Sequence, residues 1–269
     1  MIDKLSYNGI EVSFEQTSRE ICEKWLSALP DFQRNLKPEF VKMAVRDMTN
    51  DRWLFTGDAI RFDCNGSLID GQHRIKAFLE AGFFPMVLVV RGLDVRCYPL
   101  IDGGTPRTYA DAFKYDEIAN YTTKSSVAKM WMSYSDGKNL GNRRFSKTEV
   151  LDAYYHHYQS IEWAIERWNV LEGLVSKTRK TFFASLALER IGQDKTESFF
   201  NGVETGIGSP GAVAFRKILI RESNKTRGKF SQHEIAALGI KALKAHAENK
   251  PTTILKWAFD ESFPTLEQL

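Results

Sequence analysis

The chain reads as an α+β protein, with a small α/β domain over residues 1–115 followed by an all-helical domain over residues 116–269. Three observations give this reading. Up to about Asp116, short strand-like runs alternate with helix signals, as in a small α/β domain. Beyond it, helix signals follow one another with no convincing strand. Between Ile60 and Gly82, a hairpin pattern passes directly into a helix pattern.

The hairpin comes first. Ile60-Arg61-Phe62-Asp63-Cys64 alternates apolar and polar residues, Asn65-Gly66 follows, and Ser67-Leu68-Ile69 resumes. This is the pattern of two strands closed by an Asn-Gly turn, whose central residues tolerate positive φ. Downstream, Ile75, Phe78 and Leu79 recur at helical spacing, and Gly82 is a helix stop. Thr108 is placed to cap a helix through Ala110–Phe113. In the second half, Ser146-Lys147-Thr148-Glu149 and Ser231-Gln232-His233-Glu234 have the form of capping boxes, ahead of helices over Val150–Tyr158 and Ile235–Ala247. Asp136-Gly137, Gly192, Gly202–Gly211 and Arg227-Gly228 mark breaks in this array.

Composition sets outer limits. At 269 residues the chain can bury a sizeable core, and its 43% hydrophobic and 26% charged content is ordinary for a globular protein. A formal charge of +3 permits contact with nucleic acid without demanding it. Cys22, Cys64 and Cys97 are odd in number and share no metal-ligand spacing, which suggests a reducing compartment. The start, Met1-Ile2-Asp3-Lys4, lacks a signal-peptide pattern, and the run Ala81–Val90 is too short to span a bilayer as a helix. The expectation is a cytoplasmic protein with no membrane partner and no metal-ligand set.

Asp70-Gly71-Gln72-His73-Arg74 sits where the strand turns into the helix. Free backbone N–H groups and the positive end of the helix dipole emerge at such a point and favour an anion. Arg74 adds a fork of donors that fits a phosphate, and Gly71 lets backbone approach closely. The plain alternative is that Arg74 pairs with a carboxylate, His73 opens the helix and Asp70 caps it. Five such residues with no large apolar member among them tilt the reading toward function.

A second loop invites the same question. Gly103-Gly104 and Pro106 imply a tight turn between Asp102 and Arg107. Folded over the first motif, it would bring Arg107 to a phosphate chain as a second cation. Otherwise an Asp102–Arg107 contact merely fixes the loop. Basic runs form another thread: Lys177-Thr178-Arg179-Lys180, Lys225-Thr226-Arg227-Gly228-Lys229, and the group Arg143, Arg144 and Lys147. Such loops can grip a sugar–phosphate backbone without reading bases, or they are simply solvated surface.

Two features are discounted. Gly206-Ile207-Gly208-Ser209-Pro210-Gly211 matches the bare dinucleotide-binding fingerprint, but it follows helix-like sequence, and a helix starting near Pro210 is the better reading. His156 and His157 are adjacent, so on a helix they diverge and make a poor metal pair.

Asp70–Ala77 resembles the DGQHR-type signature of the ParB/sulfiredoxin-like superfamily. Members carry Gly-Glu-Arg-Arg, Gly-Cys-His-Arg or, in a free-serine kinase, Asp-Gly-His-His-Arg at this turn. The likeness runs from about Pro38 to Phe113. Glu39–Met48 is similar to the helix ahead of the core, Trp53–Ile60 to the segment entering the hairpin, and Phe84–Arg91 to the following strand. Ile101–Thr108 resembles a second motif. The whole pattern is most like ParB-like proteins of phages and mobile elements.

The resemblance implies a ParB-like phosphate- or nucleotide-binding domain. ATP or CTP would lie at Gly71, Gln72, His73, Arg74, Thr56, Gly57, Asp102 and Arg107, with Mg²⁺ as its counter-ion. Asp70 and Asp58 would be the catalytic carboxylates. The function it implies is nucleotide-dependent DNA binding, with NTP hydrolysis as an option; the basic runs of the helical half, outside the resemblance, offer Lys177, Arg179, Lys180, Lys225, Arg227 and Lys229 as the DNA contacts. A small-molecule kinase using the same phosphate site and a non-catalytic DNA-binding regulator are the alternatives. Departures narrow the choice. Gln72 replaces the cysteine that sulfiredoxin needs, which argues against its redox chemistry. Gln72-His73-Arg74 carries one fixed positive charge where ParB has two, so CTP specificity does not carry over. The nucleotide base and the oligomeric state stay open.

Overall fold

The structure, a computed structural model, describes residues 5–101, 103–135, 144–167, 176–224, 230–258 and 260–266. It is a mixed α/β protein that divides into two compact units, residues 1–106 with 144–146, and residues 107–143 with 147–269.

The first unit runs β1 (Leu5–Tyr7), β2 (Ile10–Gln16), α1 (Arg19–Ser27), α2 (Pro38–Thr49), β3 (Ile60–Asp63), β4 (Leu68–Asp70), α3 (Gln72–Ala81) and β5 (Met86–Leu93), then a 3₁₀ turn at Val95–Leu100. The sheet order is β1-β2-β5-β3-β4. β5 lies parallel to β3, while the other pairs are antiparallel. Parallel neighbours need a crossover, and α3 supplies it.

Local chemistry explains the boundaries. The Ser18 hydroxyl accepts from the Ile21 N–H at 3.2 Å and starts α1, and Pro38 opens α2, where its missing N–H costs nothing. The hairpin turn is built more by Asp63 than by the Asn-Gly pair. Its Oδ1 accepts from the Asn65 and Ser67 N–H groups at 2.9 and 2.8 Å, and Gly66 takes φ +82°. α3 stops at Gly82, at φ +63°. Trp25, Val41, Met48, Ile60, Phe62, Leu68, Ile75, Phe78, Val87 and Val89 form the core on which the site stands.

Among the described residues the second unit is helical: α4 (Tyr109–Tyr115), α5 (Tyr121–Ser135), α6 (Lys147–His156), α7 (Tyr158–Arg167), α8 (Lys177–Ile191), α9 (Gln193–Thr205), α10 (Pro210–Asn224) and α11 (Gln232–Ala247). Thr108 and Asp111 form a capping box at α4, as do Ser231 and Glu234 at α11. The sequence divides near Asp116, but α4 lies in the second unit, where Phe113 packs on Tyr154 at 5.2 Å between ring centres. Where Val150–Tyr158 reads as one helix, the structure breaks at His157. Its ring stacks on Trp131 at 3.8 Å, and its Nδ1 lies 2.8 Å from Glu189. The Gly206–Gly211 segment joins two helices. Gly206 ends α9 at φ +81°, and Gly208 packs so close to Gly202 that an added Cβ would meet it at 2.8 Å. These glycines let backbones touch, so the fingerprint is a packing feature.

Candidate functional site

The site begins with Gly71. It holds φ +105° at the cap of α3, and a Cβ there would stand 2.5 Å from Ile60 Cδ1. Only glycine takes both the angle and the contact without strain. No side chain caps the helix, and its first turn holds no acid. The leading N–H groups and the helix dipole are therefore left to favour an anion.

A cleft of about 690 Å³ opens at this point, and its charged lining is Arg34, Arg61, Arg74, Asp58 and Asp70, with His73 beside them. Gly103 and Gly104 line it from the second loop. Three guanidinium groups face two carboxylates, so the lining is net positive.

The charges are unequally engaged. Asp70 Oδ2 accepts from Arg61 Nη1 and also from Arg74 Nη2 at 3.3 Å. Arg74 further donates to the backbone carbonyls of Asp58 and Ala59, at 2.5 and 2.6 Å. Its fork is thus largely spent on fixing the segment that enters β3. Asp58 is held more lightly, its Oδ2 accepting from the Thr56 hydroxyl at 2.6 Å. Among the described residues, Asp58 Oδ1 and the Nε and Nη2 of Arg61 have no hydrogen-bond partner.

Gln72 and His73 turn toward the α1–α2 connection. Gln72, only 3% exposed, donates through Nε2 to the Arg34 carbonyl at 2.8 Å. His73 Nε2 accepts from the Lys37 N–H at 3.0 Å, which leaves the ring proton of the neutral form on Nδ1. Burial, with Arg34 and Lys37 nearby, pulls the His73 pKa below its usual value, against an opposing pull from Asp70.

The remaining sequence-derived residues scatter. Thr56 and Gly57 are exposed next to Asp58 in the segment that leads into β3, outside the cleft lining, with Gly57 at φ +83°. Asp102 lies outside the described residues, and Arg107 is the first residue of the second unit. Lys177 is exposed, whereas Arg179 is half-buried, its pKa pulled down by that burial, and Lys180 is only 6% exposed. Lys225, Arg227, Lys229 and Arg143 lie outside the described residues. Arg144 packs over the Phe40 ring at 4.3 Å. Among the described residues no group of three or more His, Cys, Asp or Glu could hold a metal, and no helix is long and apolar enough to cross a membrane.

Sequence reasoning missed two cleft arginines. Arg61 was within reach, because an Asn65-Gly66 hairpin sets residue 61 opposite residue 70. The structure keeps that pair, although a bulge shifts the register on toward Phe62 and Leu68. Arg34 belongs to no motif and reaches the cleft only through tertiary bonds. Compared with family models, with curated proteins and with solved structures, the chain matches none.

Proposed function

We propose that the first unit binds the phosphate chain of a nucleotide at the amino end of α3, in a nucleotide-dependent DNA-binding protein of ParB-like type. One observation carries this reading: an uncapped helix start and three arginines meet in a single cleft that holds only two carboxylates. Uncommitted donors of Arg61 and the first-turn N–H groups supply the anion contacts. Mg²⁺ would come with the nucleotide, since such ions are held by one or two carboxylates plus substrate phosphates. Asp58 is a lining carboxylate with an oxygen open for it among the described residues. Calorimetric titration with ATP and CTP, with and without Mg²⁺, tests the reading. Binding of a triphosphate that weakens in Arg61→Met supports it, and no binding of either nucleotide overturns it.

The DNA half of the reading rests on fewer cations than the sequence offers, because Lys180 is buried and Arg179 half-buried. Gel shifts with and without nucleotide test it.

A second reading, a small-molecule kinase, is favoured by the same open oxygen of Asp58. Its carbonyl is tied to Arg74 in the first turn of α3, so the carboxylate stands close to where a phosphate would sit. There it would orient or deprotonate an acceptor hydroxyl. Phosphate transfer to a hydroxyl compound without DNA, lost in Asp58→Asn while nucleotide still binds, would favour this reading.

A further inference from the structure

We propose that Gln72 is a positioning residue, acting through Arg34, and that it holds the α1–α2 connection so that Arg34 enters the phosphate cleft. The inference rests on the phosphate reading above and adds how the cleft is assembled.

Gln72 is buried and is not part of the cleft lining, although Gly71 and His73 on either side of it are. Its amide cannot reach a ligand there, yet it makes a directed bond: Nε2 donates to the Arg34 carbonyl at 2.8 Å. From the other side, the Arg34 N–H donates to the Tyr98 hydroxyl at 3.1 Å, and that hydroxyl lies 2.9 Å from Gln33 Oε1. Both backbone groups of Arg34 are thereby fixed. Two more bonds pin the flanks, from Gln33 Nε2 to the Leu68 carbonyl at 3.0 Å and from the Lys37 N–H to His73 Nε2 at 3.0 Å.

No helix or strand holds residues 28–37, so these side-chain bonds, with backbone bonds from the Leu68 N–H to the Ala28 carbonyl and from the Gln33 N–H to the Pro30 carbonyl, set the path of the connection. A cation whose backbone is already ordered loses less freedom on meeting an anion. The helix start and the second arginine are thus joined by one buried amide, and the motif residue beside Gly71 serves the site from behind.

A double-mutant cycle with inorganic pyrophosphate, read by calorimetry, tests this. Gln72→Met keeps the length of the side chain and removes the donor. It should weaken pyrophosphate binding about tenfold, as should Arg34→Ala, in keeping with the loss of one charge-assisted contact. In the Arg34→Ala background, Gln72→Met should then cost less than about twofold, because its effect runs through a side chain already gone. Tyr98→Phe removes the hold on the other side of Arg34 and should show the same non-additivity, which keeps the test open if Gln72→Met fails to fold. Losses that multiply in the double variants, or an Arg34→Ala variant that binds like the parent, overturn the inference alone. A parent that binds none of pyrophosphate, ATP and CTP overturns the phosphate reading along with it.

Discussion

Arg61 and Asp70 face each other across the β3–β4 pair, and the carboxylate oxygen that Arg61 holds is the one shared with Arg74. Both guanidinium groups are held through that one oxygen, so the carboxylate ties the arginines on either side of it together. Asp70 is better placed to fix two arginines than to act on a ligand. Asp70→Asn should therefore lower stability by about 1.5–3 kcal/mol, the range for a hydrogen bond to a charged group. It should not weaken pyrophosphate binding, because it removes a negative charge from an anion cleft. Urea unfolding and calorimetry on the same variant read the two effects. A large loss of affinity in a stably folded variant would return Asp70 to the ligand.

Gly71 is constrained twice, by its angle and by Ile60. Gly71→Ala should cost about 1–3 kcal/mol from the left-handed backbone alone, with the clash against Ile60 Cδ1 added to it. Ile60→Val deletes that methyl group and on its own costs about 0.5–1.5 kcal/mol. Combined, the two changes should destabilise by less than their sum, while the strain of the angle remains. Thermal melts of the three variants check this. Full additivity would mean that Ile60 already yields to an added methyl group at no cost.

His246 joins three elements of the second unit. Its Nδ1 lies 2.8 Å from the Ser209 hydroxyl and its Nε2 lies 2.9 Å from the Lys195 carbonyl, so the neutral ring accepts at one nitrogen and donates at the other. Burial holds its pKa below the ordinary histidine value. A base whose pKa is lowered on folding binds more protons when unfolded, so stability rises with pH. This contribution is complete above the ordinary histidine pKa and is lost as pH falls below it. His73 and His233 are shifted in the same direction by burial. Urea midpoints should therefore fall between about pH 7.5 and about pH 5.5, on either side of the histidine range. His246→Gln, which keeps a donor and an acceptor, should flatten that slope. An unchanged slope would show that the ring is not held neutral by its surroundings.

The parts of the fold that were legible are those governed by neighbours in sequence. The Ile60–Ile69 hairpin, the strand-to-helix turn at Gly71, the stop at Gly82 and the caps at Thr108 and Ser231 all rest on short-range geometry. The short β1–β2 pair was not read, because its place comes from pairing with β5, some eighty residues on. The site divides the same way. Gly71 could be recognised from its turn, but which way Gln72 and His73 point depends on residues 33–37, distant in sequence. Arg34 enters only through those bonds. Lys177, Arg179 and Lys180 look alike in a basic run, and burial alone separates them.

That separation can be measured. If the second unit contacts DNA, Lys177 can reach a phosphate with its charge exposed, whereas Lys180 is buried and makes other contacts. Lys177→Ala should flatten the log–log dependence of duplex affinity on salt by about 0.9, one phosphate contact's worth of released counterions. It should do so for every sequence alike, since backbone contacts carry no base information. Lys180→Met should leave that slope unchanged and shift the thermal midpoint instead, because it alters packing inside α8. Filter-binding series across salt, run on both variants and the parent, separate the two roles. A slope that flattens for Lys180→Met and not for Lys177→Ala would show that the buried lysine turns outward to meet DNA. Equal slopes in all three proteins would remove this helix start from any DNA-binding face.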